Sequence, residues 1–329
     1  MEVLIVVVSY NGETTIANTL NAALALDADA PILLIDNASQ DRTRDVTRAM
    51  GSPRIRVLEN EENLGVGAAF NIGIREAKAM EAKWLMLLDQ DSEPKADALR
   101  VMQDALKAIQ GSGLVQGTEA EETPTADRCR GRTAGRGGIG ALFPTVRCKQ
   151  YPEVVHYPMD WTGAGFEAVV PAQGLGAPTW ITVDTAISSG ALYRVAALEA
   201  VGGFNEGYFI DFVDHECHLR LREAGYRLWW VREAELRHDL GRIQQMTDSG
   251  LWIEHPPYRY YYMARNMVRG YWRFGGMRAL WHLVGDMREH AGRLLANSRN
   301  ATEAISWMRL GVLHGVLGKT GKLSSRFRL

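Results

Sequence analysis

Cysteine is scarce in this chain. The 329 residues contain three, Cys129, Cys148 and Cys217. An odd number with no CxxC spacing speaks against a disulfide framework and a structural zinc site, and points to a reducing compartment. Long apolar runs are also missing. The first, Val3–Val8, covers six residues and follows the acidic Glu2, so it has neither the length nor the basic flank of a signal peptide. No run approaches the roughly 18 residues that suggest a transmembrane helix. The familiar nucleotide loops are absent as well: neither GxGxxG nor a Walker A sequence follows the first apolar run, which argues against an NAD enzyme or a P-loop NTPase. No internal repeat is evident. With 46% hydrophobic and 23% charged residues, the rest of the composition is that of an ordinary globular protein.

What is present is alternation. Val3–Val8, Ile32–Ile35, Ile55–Leu58 and residues 84–88 are short apolar runs that read as strands. Helical patterns lie between them near 13–26, 41–50, 66–80 and 95–110, and Leu114–Gln116 reads as a fifth strand. Such alternation predicts an α/β fold with a mainly parallel sheet and helices on both faces. Residues 118–180 are rich in Gly, Pro, Thr and Arg, with five glycines in Gly131–Gly140, and read as a long loop region. Strands return at Trp180–Val183, Ile187–Tyr193 and Arg227–Val231, helices at 195–201 and 212–224, and the chain reads as helical from about 255. The expected organisation is residues 1–240 as a catalytic domain and 241–329 as a helical extension. Within the former, 1–117 forms the nucleotide-binding half, 118–180 the loop-rich segment and 181–240 the acceptor and catalytic half.

The most informative feature is Asp89-Gln90-Asp91, which ends the buried run Trp84–Leu88. Two carboxylates leaving a core together are costly unless something positive meets them. A divalent cation carrying a phosphate is the natural partner, because Mg²⁺ and Mn²⁺ take one or two carboxylates together with substrate phosphates and water. In parallel sheets ligands bind beyond the carboxyl ends of the strands. Asp36, Asn63, Asp89 and Asp91 all fall there, though Asp36-Asn37-Ala38-Ser39 is also good turn chemistry.

Taken together, Ser9-Tyr10-Asn11, Asp36-Asn37-Ala38-Ser39, Asn63-Leu64-Gly65 through Asn71 and Asp89-Gln90-Asp91 make the chain resemble the GT-A glycosyltransferases of family 2, most closely the bacterial rhamnosyltransferase-like branch. The likeness covers residues 3–117 and 180–240, with a weaker match in Pro257–Gly270. It implies that Ser9, Tyr10, Asn11 and Asp36 hold the nucleotide base and ribose. Asn63, Gly65 and Asn71 would border nucleotide and sugar. Asp89 and Gln90 would lie against ribose and diphosphate, and Asp91 would bind the metal. Asn37 departs from the pattern, since many members carry a second aspartate there. In Asp211-Phe212-Val213-Asp214-His215-Glu216-Cys217-His218 the resemblance makes Asp214 the catalytic base. Acids in a first helical turn also suit the helix dipole, and Asp211 suits an N-cap, so Asp211 and Glu216 remain alternatives. His215, Cys217 and His218 do not share one helix face and read as packing or surface residues. By the same resemblance His238 joins Asp91 as a metal ligand, and Ser189 and Gly190 belong to a small-residue strand on the acceptor side.

The implied reaction is inverting, metal-dependent transfer of a sugar from a nucleotide donor, with dTDP-rhamnose favoured and a UDP-sugar the alternative. The acceptor would be a glycan or lipid-linked glycan in cell-surface polysaccharide synthesis. A sugar nucleotidyltransferase is the runner-up, but Ser9–Thr15 has no Lys or Arg; a non-catalytic sugar-binding module is the other. Finally, the net charge of −2 hides an asymmetry. Residues 265–329 hold 12 basic and three acidic side chains, against 25 and 36 in the rest. With the aromatics between those arginines, this predicts peripheral attachment to the cytoplasmic face of a membrane, unless the segment packs on the catalytic domain or forms a homodimer interface. A nucleic-acid partner is not expected.

Overall fold

A computed structural model describes residues 2–112, 138–171, 178–241, 243–247 and 250–323. Its first part follows the alternating pattern: β1 (Val3–Ser9), α1 (Ile16–Leu26), β2 (Ile32–Asp36), α2 (Thr43–Ala49), β3 (Ile55–Glu59), α3 (Val66–Ala79), β4 (Trp84–Asp89), β5 (Glu93–Pro94) and α4 (Ala98–Gly111). The later part holds β6 (Ile139–Arg147), β7 (Val155–His156), β8 (Met159–Trp161), β9 (Phe166–Ala168), β10 (Trp180–Val183), β11 (Leu192–Arg194), α5 (Val195–Ala200), α6 (Val213–Glu223), β12 (Arg227–Arg237), β13 (Ile243–Thr247), β14 (Gly250–Glu254), α7 (Arg259–Asn297) and α8 (Ala301–Val316).

One ten-stranded sheet runs in the order β10-β12-β6-β11-β4-β1-β2-β3, with β5 on β12 and β7 on β6. β3, β2, β1 and β4 are mutually parallel. β12 is parallel to β6, and β11 lies antiparallel between β6 and β4. The sheet is therefore parallel-rich, with β11 reversed in its interior and β10, β5 and β7 pairing antiparallel at its margins. Alternation along each strand builds the two core layers. Leu4, Val6, Leu33, Ile35, Leu85 and Leu87 face α3, α5, α6 and α7. Val3, Ile5, Ile32, Leu34, Met86 and Leu88 face α1 and α4.

Three expectations change. Residues 139–147, read as loop, form a strand in the middle of the sheet. Gly140 serves close packing there: a Cβ would come within 2.9 Å of Tyr226 and 3.1 Å of Leu228. Pro144 sits opposite Val231, where the register with β12 slips by a bulge, the kind of place a sheet tolerates proline. Second, Ile187–Ala191 is not strand; only Leu192–Arg194 pairs. Third, the C-terminal part opens with the antiparallel hairpin β13–β14 and becomes helical only at Arg259. Leu114–Gln116 lies outside the described residues. α7 is not peripheral to the catalytic core, since Val268, Tyr271, Ala279 and Leu283 join the same apolar cluster as Phe70 and Leu85.

Candidate active site

Parallel pairing brings the strand ends together. Ser9 is in register with Asp36, and Val8 with Asp89. The loop after β1 is then braced. Gln90 Oε1 accepts hydrogen bonds from Ser9 Oγ at 3.0 Å and from the Tyr10 amide at 2.7 Å. Asn11 Oδ1 accepts from the Gln40 amide, while the Asn11 amide donates to Ser39 Oγ. Ser9 and Gln90 are thus engaged inside the chain, and the Tyr10 ring is left exposed. Asp36 is fully buried. Its Oδ1 accepts from the Ser39 amide at 2.8 Å, as an Asx turn would, while Oδ2 has no partner among the described residues. Buried carboxylate oxygens are almost always paired, so Oδ2 is a vacant acceptor at the end of β2.

Asn37 Nδ2 donates to Asn63 Oδ1 and the Gly65 carbonyl, and its Oδ1 accepts from Asn60 and the Leu64 amide. The residue that departs from the family pattern therefore shapes the loop after β3. Gly65, at φ 88°, meets the Phe209 backbone; a Cβ there would lie 2.5 Å from the Phe209 carbonyl oxygen. Asn71 is placed differently from expectation. Its amide bonds both N–H and C=O of Phe204 and the Glu206 carboxylate, so its polar atoms brace α3 against the loop before α6.

Beyond β4, Asp89 and Asp91 flank one imidazole. His238 Nδ1 lies 3.2 Å from Asp91 Oδ1, and Nε2 lies 3.7 Å from Asp89 Oδ2. His238 is buried, as are Ser92 and Ser189 behind it. Ser92 Oγ contacts His238 Nδ1 at 3.2 Å and Ser189 Oγ, which accepts from the Asp89 amide at 3.1 Å. Gly190, at φ 79°, is packed against Pro144 and Leu236. Ser189 and Gly190 therefore support the carboxylates from within rather than lining an open surface. Burial, together with the charges of Asp91 and Asp214, pushes the Asp89 carboxyl up to about 6 against the pull of His238 and Arg259. Burial also acts to raise Asp91, but the hydrogen bond and charge of His238 outweigh it and hold Asp91 low. No group of three His, Cys, Asp or Glu side chains with metal-binding geometry occurs among the described residues. The donor set nevertheless fits Mg²⁺ or Mn²⁺, which complete a pair of carboxylates with diphosphate oxygens and water. His238 could join only as the neutral imidazole, through Nε2 on the Asp89 side if Nδ1 keeps its contact with Asp91.

The loop before α6 and the first turn of that helix supply three acids, Asp211, Asp214 and Glu216, and two are already paired. Asp211 does not cap the helix. It takes both Nε and Nη2 of Arg259 at 2.9–3.1 Å, and Phe212, in a left-handed conformation, occupies the cap position. Glu216 is held by Arg220 at 2.7–2.8 Å. Among the described residues Asp214 makes only local contacts, from the His215 amide at 2.8 Å and the His215 ring at 4.0 Å. Its charge reaches Asp89. Cys217 and His218 are buried packing residues; His218 bridges Thr185 and Tyr193, and burial pushes it down to about 3.

Two residues in the weakly matching Pro257–Gly270 stretch have roles that their spacing did not reveal. Arg265 and Asn266 are fully buried. Arg265 donates to the carbonyls of Gly207, Tyr208 and Gly321. Asn266 donates to those of Tyr208, Ile210 and Asp211 at 2.8–3.0 Å. They hold a loop in which Phe209, Asp211 and Phe212 all have positive φ, a conformation costly to non-glycine residues. The only sequence signal was a charged and an amide side chain inside an aromatic helix.

Fold and site together define a GT-A glycosyltransferase. Residues 4–202 match the family described as "Glycosyl transferase family 2", and the chain belongs to it. Over 96% of both chains it is 22% identical to the dTDP-rhamnosyl transferase RfbF of Shigella flexneri. It is 25% identical to an N-acetylglucosaminyl-diphospho-decaprenol L-rhamnosyltransferase of Mycobacterium tuberculosis, over 77% of this chain and 80% of that one. A shorter match, 33% identical, covers 31% of this chain and 28% of the succinoglycan biosynthesis protein ExoO of Rhizobium meliloti. Among solved structures, residues 1–349 of S. aureus TarS in complex with UDP-GlcNAc superpose with a TM-score of 0.53 at 13% identity, covering 97% of this chain and 93% of that one. The mannosyltransferase PcManGT of Pyrobaculum calidifontis, in complex with GDP-Man and Mn²⁺, gives 0.52 at 14% identity, with 97% and 88% covered. No helix among the described residues is long and apolar enough to cross a membrane.

Proposed function

We propose that the protein transfers a sugar, L-rhamnose from dTDP-rhamnose, with inversion onto a hydroxyl of a glycan or lipid-linked glycan at the inner face of the cell membrane. The observation that carries the reading is Asp214: of Asp211, Asp214 and Glu216, it alone has no arginine or lysine partner among the described residues. A carboxylate free of cations can take a proton, and as general base it would accept the acceptor's hydroxyl proton as that oxygen attacks the anomeric carbon. Attack on the face opposite the leaving diphosphate is a single displacement and inverts that centre. The vacant Oδ2 of Asp36 would accept a hydrogen bond from the base or ribose of the donor, with the exposed Tyr10 ring beside it. Asp91 and Asp89, with His238, would hold Mg²⁺ or Mn²⁺, whose chemistry is to neutralise charge growing on the departing diphosphate.

The choice of dTDP-rhamnose is supported by the two rhamnosyltransferases to which the chain is similar over most of its length. The test is turnover with dTDP-rhamnose and with UDP-sugars, including UDP-galactofuranose, each with and without Mn²⁺. Release of dTDP coupled to rhamnose transfer is expected. Turnover with a UDP-sugar and none with dTDP-rhamnose rejects the donor, and hydrolysis or transfer with neither rejects the reaction class.

A further inference from the structure

Beyond a kink at Gly276 (φ 61°, ψ −149°), α7 buries Ala279, Leu283 and Leu294 against the protein. On another side it leaves a row of apolar side chains uncovered. Met277, Trp281, Val284 and Leu295 are 61%, 72%, 49% and 66% exposed. Steps of four, three and eleven residues return to one line of a helix surface. Scattered exposed apolar residues are ordinary, but an aligned row with a largely exposed tryptophan marks a contact surface. Arg288 is exposed within the same line, four residues after Val284, and Arg278 is exposed at its edge. The C-terminal ion pairs are Arg259–Asp211, Arg273–Glu223 and Lys322–Glu62; Arg278 and Arg288 enter no ion pair among the described residues. By helical spacing Asp286 falls on the opposite side of the helix, and Glu289, eleven residues after Arg278, lies in line with that edge arginine and outside the Met277–Leu295 row.

A second copy of the chain fits this row poorly. A two-fold interface sets the same patch against itself. Arg288 lies near the middle of the Met277–Leu295 row, so an antiparallel pairing brings it close to its own symmetry mate, with no carboxylate in the row to offset the repulsion. An anionic lipid surface suits the same residues. Tryptophan favours the headgroup level, arginine stems lie along apolar surface while their heads reach out to phosphates, and amphipathic helices bind in that plane. The excess of 12 basic over three acidic side chains in residues 265–329 acts in the same direction.

We infer that the Met277–Leu295 face of α7 docks the protein on an anionic membrane surface. Met277, Trp281 and Val284 enter the headgroup layer, and Arg278 and Arg288 pair with lipid phosphates. The inference rests on the proposed function only in supplying a reason to be at the membrane. It is tested without donor or acceptor, so the two can fail separately.

The experiment is co-sedimentation of the full chain with phosphatidylglycerol-rich and with phosphatidylcholine vesicles at low and high salt, alongside light scattering. Binding to the anionic vesicles is expected to exceed binding to the neutral ones by about tenfold or more and to fall with salt. The triple variant M277S/W281S/V284S, altered only at exposed positions, is expected to lose about tenfold or more in vesicle binding. The double variant R278Q/R288Q should lose the preference for anionic lipid, which keeps the test informative if the triple variant folds poorly. Absence of vesicle binding, equal binding to both lipids, or unchanged binding of both variants overturns the inference. So does a wild-type dimer that the triple variant converts to monomer.

Discussion

Arg259 grips Asp211 through Nε and Nη2 at 2.9–3.1 Å, and the pairing divides the work of the two aspartates three residues apart. Arg259 is half-buried, and Asp211 neutralises it. Asp214, in the first turn of α6, has no such counterion among the described residues. Replacement of each by asparagine should therefore fail in a different way. Asp214→Asn keeps the size of the side chain and removes the proton acceptor, so kcat should fall roughly 10²–10⁴-fold with donor binding nearly unchanged. Asp211→Asn leaves a half-buried arginine without its charged partner and should destabilise the protein by about 1–3 kcal/mol. Rate measurements and denaturant melts on both variants separate the roles. A stable, active Asp214→Asn protein would move the base to Asp211 or Glu216.

Asp91 is expected to govern metal-dependent nucleotide binding. Its position beyond β4, with Asp89 and His238 around it, gives the hard oxygen donors that a diphosphate-bound cation needs. Asp91→Ala removes one donor without opening the core, since the residue lies outside the sheet. Calorimetry with dTDP and Mn²⁺ should show binding by the native protein that chelation of the metal abolishes. The variant should show none, with a melting profile close to native. Unchanged Mn²⁺-dependent affinity in Asp91→Ala would place the metal elsewhere.

Much of this site could be read in the sequence because strand ends are local signals. Asp36, Asn63, Asp89 and Asp91 each follow an apolar run, and parallel pairing alone brings such positions to one edge. The side chains' duties were less accessible. Asn71 and Gln90 carry ligand-like chemistry but spend it on Phe204 and Tyr10, and only the tertiary contacts reveal that. β6 was hidden because glycine and proline mark turns in most sequences, whereas here Gly140 and Pro144 serve close packing and a bulge. Asp211 suited a cap by position, yet a partner 48 residues away claimed it.

The Arg265–Asn266 pair should set the geometry of the loop that carries Asp211 and leads to Asp214. Asn266→Ala removes the side-chain donor from the Ile210 and Asp211 carbonyls, while that of Tyr208 keeps Arg265, and should cost on the order of 2–3 kcal/mol in stability. If the loop positions the base, kcat at a temperature well below the melting transition should also fall, while the KM for donor changes little. A variant destabilised to that degree with native kcat would show that the clamp only supports the fold.

His218 gives the stability a pH dependence whose sign is fixed by its surroundings. It lies fully buried between Tyr193 Oη at 2.7 Å and Thr185 Oγ1 at 2.9 Å. Burial pushes it from its ordinary value of 6.5 down to about 3. Burial likewise takes His156 and His255 to about 4. A histidine lowered in the folded state gains its proton on unfolding across the interval between the two values. Its contribution is therefore intact above about 6.5 and is lost as the pH falls toward the folded value. Each such group steepens the loss by up to about 1.4 kcal/mol per pH unit. Urea denaturation of the native chain and of His218→Leu at a series of pH values between 7 and 4 isolates one of them. The variant should be the less stable at pH 7, because it leaves the Tyr193 hydroxyl unpaired and Thr185 Oγ1 with His215 alone. The gap should narrow as the pH falls, since the variant has no proton to gain at this position. A gap that stays constant with pH would mean that residue 218 does not titrate differently in the folded and unfolded chains.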